Sequence, residues 1–219
     1  MSILHINSPA AKAINKFVQM VYAGLLWFVC SIPILTIGAA TTALYEVLLK
    51  MQKDEEGAVG AAFFRGFRAN MKASLPVWIP ILLAEVLFGV NLFYYAVLGG
   101  GQFPVQSVVF GVFSVLALTA FGYAFPIMAR FENSTAGTFR MAFLLAIRNP
   151  GWTVVIAIMQ VLTLLICWGF LYIPALFIMG ISGYMQAAIF NRIFDRLIEQ
   201  GKITETGKDE SLRGQDHDN

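Results

Sequence analysis

Three apolar blocks, residues 17–49, 75–128 and 152–194, fill most of this chain, and all but a few of its charges lie between and beside them. A helix that crosses the hydrocarbon of a bilayer needs roughly 20 apolar residues, with about 17–25 tolerated. The second and third blocks each hold two such helices. The first holds either one long span or two short ones. Composition agrees. The chain is 58% hydrophobic and 13% charged, with a mean hydropathy of +0.71. Soluble domains are about 45–50% apolar and about 25% charged. The fold class is therefore all-α, a polytopic helical membrane protein.

Where the basic residues fall decides the count. All 15 lie in four clusters: Lys12 and Lys16; Lys50, Lys53, Arg65, Arg68 and Lys72; Arg130, Arg140 and Arg148; and Arg192, Arg196, Lys202, Lys208 and Arg213. The positive-inside rule puts all four in the cytoplasm. Successive clusters on one side require an even number of crossings between them, so the first block crosses twice. The expectation is six spans in three hairpins, near residues 14–31, 33–50, 74–98, 104–128, 151–173 and 174–197. Both termini are then cytoplasmic. Five spans result if the first block is one long helix. Residues 1–200 form the transmembrane domain, and the polar tail 201–219 reads as disordered. Lys12 and Lys16 before an apolar run resemble the start of a signal peptide. The run is too long for one, and no cleavage-type site follows.

Proline placement supports the hairpins. Pro33, Pro104 and Pro174 each lie near the middle of an apolar block. Proline suits the first turn of a helix and disrupts its interior, so each can open a returning helix. The cytoplasmic connections also have helical character. Between residues 58 and 72, Val59, Ala62, Phe63, Phe67 and Met71 recur at helical spacing, with Arg65, Arg68 and Lys72 on the other side. This predicts an amphipathic linker helix lying in the membrane interface. A shorter one is predicted over 136–148, with Arg140 and Arg148 basic and Asn133, Ser134 or Thr135 as its cap. Trp27, Trp78, Trp152 and Trp168 fall near span ends, where interfacial anchoring is expected.

Few residues suggest chemistry. Glu85 is the one acidic residue deep in a predicted span, about twelve residues or roughly 18 Å from the start of the third helix. A charge at such depth costs on the order of 3 kcal/mol, and no basic residue is available there. Glu85 should face the bundle, neutral or bonded to polar groups in other spans: Thr41, Thr42, Tyr45, Asn91, Gln160 or Gln186. Gly38 and Thr42 have the small-xxx-small spacing that lets helix backbones approach in lipid. The region 33–42 reads as a tightly packed helix or as a broken one lining a cavity. Cys30, Cys167, His5 and His217 have neither metal-ligand spacing nor a disulfide pattern. There is no phosphate loop, dinucleotide fingerprint or nucleophile elbow. A net charge of +2 gives no reason to expect a nucleic-acid partner. Neither an enzyme nor a cofactor is expected.

Several segments resemble a known family. Leu26-Trp27, Ser31-Ile32-Pro33, Thr36-Ile37-Gly38-Ala39-Ala40 and Ala43-Leu44-Tyr45 are similar to the opening of the YesL-like proteins. These are bacterial membrane proteins grouped as domain of unknown function 624. Residues 64–75, Pro126-Ile127-Met128-Ala129-Arg130-Phe131-Glu132 and Arg148-Asn149-Pro150 are similar to later parts of that family. The resemblance implies a bacterial cell-membrane protein of carbohydrate uptake, placed beside sugar ABC-transporter permeases. It supplies no catalytic residues, and Phe131 stands where the family usually has tyrosine. The expected function is a non-enzymatic accessory subunit that contacts permease subunits as well as the lipid bilayer. A homo-oligomer is compatible with the sequence. The alternative is a small secondary transporter in its own right, which requires a cavity reaching Glu85.

Overall fold

A computed structural model describes residues 9–55, 57–98, 105–169 and 175–199, and every element among them is helical. Pro104, Pro174 and the tail 201–219 lie outside the described residues. The first block forms two helices, α1 (Pro9–Cys30) and α2 (Ile37–Met51), joined through a 3₁₀ turn (Ile34–Thr36). Pro33 sits in an extended conformation just before that turn. The Thr36 hydroxyl lies 2.6 Å from the Cys30 carbonyl and 2.7 Å from that of Pro33. It can donate to either and so closes the reversal.

Almost all of α2 is buried, so it is the central helix of the bundle. Its small residues make this possible. A Cβ on Gly38 would lie 2.9 Å from the Trp78 Cβ and 3.3 Å from the Phe125 ring. After α2 the chain turns through Asp54 and Gly57, both at φ 58°. The Lys16 ammonium, 2.7 Å away, pairs with the Asp54 carboxylate and holds its pKa below the ordinary value.

The next helix departs from expectation. The predicted interfacial linker and the third span are one helix, α3 (Val59–Phe93), which runs through Pro76 and Pro80. Each proline removes one N–H from the helical ladder. Its buried residues Val59, Phe63, Gly66, Asn70, Ser74 and Val77 recur every three or four positions. That stripe packs against α2 rather than against lipid. The reason is the surface α2 offers: Gly66 can approach the Ala43 backbone because neither residue is large. Beyond Ile81 the helix exposes Leu83, Val86, Leu87, Val90 and Phe93, as a lipid-facing segment would. A π-helical turn (Tyr94–Leu98) follows.

The remaining helices are α4 (Val105–Arg130), α5 (Thr135–Arg148), α6 (Pro150–Gly169) and α7 (Ala175–Glu199). Helix α5 covers the segment where the second, shorter helix is expected, and Ser134 is its cap, accepting from the Gly137 N–H at 3.2 Å. At Asn149 the chain bends by 109° into α6, which begins on Pro150 as the first turn of a helix allows. Among the largest buried side chains, Phe190 of α7 meets Tyr45 of α2 and Tyr123 of α4 edge to face and stacks on Phe194. This core lies toward the end of the bundle that carries Lys53 and Arg130.

Among the described residues, four stretches are long and apolar enough to cross a membrane: Ala11–Cys30, Ile34–Met51, Val59–Phe93 and Ser107–Arg130. Counting the bent pair α5–α6 as one span gives five. The chain is thus a polytopic helical protein of membrane type.

Candidate functional site

A cavity of about 350 Å³ opens between α1, α2, α3, α4, α6 and α7. Helical periodicity builds its walls. On α2, Thr41 and Tyr45 are four residues apart and share a face. On α3, Trp78, Ile81 and Glu85 do the same over two turns, and on α7 so do Met179, Ser182 and Gln186. Leu118 and Phe121 of α4 and Gln160 and Thr163 of α6 close the far side. The volume lies in the range of sites that hold small organic molecules.

Most polar groups on the wall already have partners within the protein. The Trp27 indole donates to the Thr41 hydroxyl at 3.0 Å, and the Tyr45 hydroxyl donates to Gln186 Oε1 at 2.8 Å. The Trp78 indole donates to the Ile34 carbonyl at 2.8 Å. The Gln160 amide, oriented with its nitrogen toward Leu118, donates to that carbonyl at 3.1 Å and accepts from the Gly122 N–H at 3.2 Å. Thr163 donates to the Met159 carbonyl at 2.7 Å. Glu85 differs. Ser114 of α4 donates to its Oε2 at 2.8 Å, while its Oε1 is buried with no hydrogen-bond partner. Tyr45, Glu85, Gln160 and Gln186 therefore stand on the wall of a mainly apolar space, and the carboxylate keeps a buried oxygen without a donor.

The cavity collects five of the seven polar residues that the sequence singles out: Thr41, Tyr45, Glu85, Gln160 and Gln186. It leaves out Thr42, whose hydroxyl donates within α2 to the Gly38 carbonyl at 2.9 Å, and Asn91, farther along α3. None of those candidates bonds Glu85. Its partner is Ser114, a residue that only the α3–α4 register brings there. Trp27 and Trp78 also correct an expectation. They turn inward onto the cavity rather than anchoring an interface, because Thr41 and the Ile34 carbonyl offer buried acceptors. Pro33 and Gly38 sit at the α1–α2 reversal and its packed start. Arg65, Arg68 and Lys72 lie exposed on α3, and Arg140 and Arg148 exposed on α5.

Two features had no counterpart in the sequence reading. Glu46 of α2 is a second acidic residue within a predicted span, and it is more deeply buried than Glu85. Its carboxylate occupies the space that a Cβ on Gly66 would need. A polar clasp also ties three helices at the basic end. Arg130 donates to Asn191 at 3.0 Å and to Asp195 at 2.9 Å, and Lys53 pairs with Asp195 at 3.2 Å. Asn191 donates to the Leu49 carbonyl at 3.0 Å.

Residues 20–92 match the family described as "Protein of unknown function, DUF624". That stretch covers the second half of α1, all of α2 and all but the last residue of α3, including Thr41, Tyr45, Trp78 and Glu85. No curated protein and no solved structure matches the chain.

Proposed function

We propose that this chain is a non-enzymatic carrier of the bacterial cell membrane that binds a small molecule between its helices. One observation carries the reading: a half-buried carboxylate with an unpartnered oxygen stands on the wall of a cavity about 350 Å³ in volume. A carboxylate that only tied helices together would have both oxygens satisfied, since a buried polar atom without a partner costs roughly 1–3 kcal/mol. In this reading α1, α2, α3, α4, α6 and α7 are the six spans, paired in three hairpins, with α5 along the inner surface and both termini in the cytoplasm. Carbohydrate uptake and sugar permease partners rest on the family resemblance, and the cavity favours a carrier over a purely accessory subunit.

The test is uptake by liposomes containing only this protein, offered a panel of labelled sugars and amines. Uptake above that of empty liposomes, lost in Glu85→Gln, is expected. Absence of any uptake, together with near-equal recovery of permease subunits from native membranes in mild detergent, would replace the carrier reading with the accessory one.

A further inference from the structure

The cavity also constrains what it holds. Resting on the reading of this space as a small-molecule site, we infer that its ligand is a small lipophilic cation, an ammonium group on an apolar body. Three observations converge. First, among the described residues no lysine or arginine lines the cavity, so none of them balances the Glu85 charge. Second, Ser114 satisfies one carboxylate oxygen and leaves Oε1 buried without a donor. An ammonium N–H supplies both the missing donor and the missing charge, and such charge-assisted bonds are the stronger kind. Third, most of the remaining wall is aromatic and aliphatic. Trp78 and Phe121 meet edge to face with centroids 5.8 Å apart, and Trp27 and Tyr45 stand on the same wall. Aromatic faces attract cations, most of all where water is excluded.

A sugar fits this space poorly. Its hydroxyls need several partners, and the polar groups of Trp27, Tyr45, Trp78 and Gln160 are already bonded within the protein. An anion meets the Glu85 carboxylate and no cationic side chain among the described lining residues. The competing occupant is a proton, which would neutralise Glu85 and leave the cavity suited to neutral apolar molecules.

Three probes with one skeleton separate these cases: 3-phenylpropylamine as cation, 3-phenylpropan-1-ol as neutral donor and 3-phenylpropanoate as anion. Each is titrated into the full chain in nonionic micelles, and tryptophan fluorescence is read against empty micelles, since Trp27 and Trp78 line the site. The expected result is that the amine binds tightest and that Glu85→Gln weakens it by about tenfold or more, and far more than it weakens the alcohol. Leu118→Trp, which fills the cavity, should abolish binding of every probe. Equal binding of amine and alcohol, unaffected by Glu85→Gln, overturns the cation inference and leaves the cavity reading standing. Amine binding that survives Leu118→Trp places the cation elsewhere and also overturns the inference. Failure of all three probes to bind overturns both. Competition from added phosphatidylethanolamine would identify a lipid headgroup as the source of the ammonium, and absence of competition a free amine.

Discussion

At the scale of the residue, Gly38 is closely constrained. A Cβ there meets the Trp78 Cβ at 2.9 Å, close to the α3 backbone where a side chain cannot swing aside. Gly38→Ala is expected to cost about 1–3 kcal/mol, the usual penalty of overpacking, read as a lowered thermal midpoint in detergent. Gly89→Ala is the control. Nothing lies within 4 Å of its would-be Cβ, so the change should be neutral or favourable by up to about 1 kcal/mol through helix propensity. Asp54 gives a prediction with a sign. Its carboxyl is held below the ordinary value by the Lys16 ammonium. A depressed folded-state value adds stability above the unfolded value, near pH 4 for aspartate, and loses it as pH falls through the folded one. Asp54→Asn should therefore lower stability slightly at neutral pH and leave it unchanged in strong acid. A midpoint that drops equally at both would show that the pair contributes nothing. The small-residue run of α2, the Pro33 turn and the exceptional Glu85 could all be seen as residues. The Ser114 bond could not, because it depends on which turn of α4 faces which turn of α3.

At the scale of the element, sequence and structure diverge most in α3. The amphipathic stripe over 58–72 was read correctly as helical, but its apolar face could equally rest on lipid or on protein. Periodicity carries no information about which. The deciding fact is that α2 presents small residues to it, Ala43 against Gly66, and that is a property of another helix. Helix α5 was more legible because Ser134, the apolar positions and Pro150 all mark it locally. The clasp at the basic end was illegible for the same reason as Ser114, since Arg130, Asn191 and Asp195 are distant in sequence. Its worth can be measured. Arg130→Met strands the buried Asn191 side-chain oxygen and removes the guanidinium stacked 5.8 Å from the Phe194 ring. A loss of about 1–3 kcal/mol is expected. Asp195→Asn should cost less, because that carboxylate is half exposed and a solvent-screened pair contributes about 1 kcal/mol or less. Denaturation of the two variants in the same detergent ranks them, and a larger loss for Asp195→Asn would contradict this account.

At the scale of the whole molecule, the proposed topology makes a sidedness prediction. Single cysteines at Asp54 and Asn133, in a background without Cys30 and Cys167, should be labelled from the cytoplasmic face by a membrane-impermeant maleimide. A cysteine at Ile32 should be labelled from outside. Labelling of all three from one face would make the α1–α2 hairpin re-entrant and reduce the number of crossings. The alternation of charge and apolar length made a polytopic helical protein readable in advance. The length of α3 was not, since one helix of 35 residues serves both as inner packing surface and as outer lipid-facing segment.

The burial of α2 bears on how the chain is made. A helix enclosed on nearly every side, with Glu46, Thr41 and Tyr45 facing neighbours, leaves the ribosome long before α4 and α7 exist to enclose it. During synthesis those polar groups must be shielded by the insertion machinery or by a chaperone. Release of the α1–α2 hairpin into bulk lipid has to wait for the last helix. Chains truncated before residue 175 would then be recognised as unfinished and degraded, whereas chains lacking only the residues beyond 199 would mature normally.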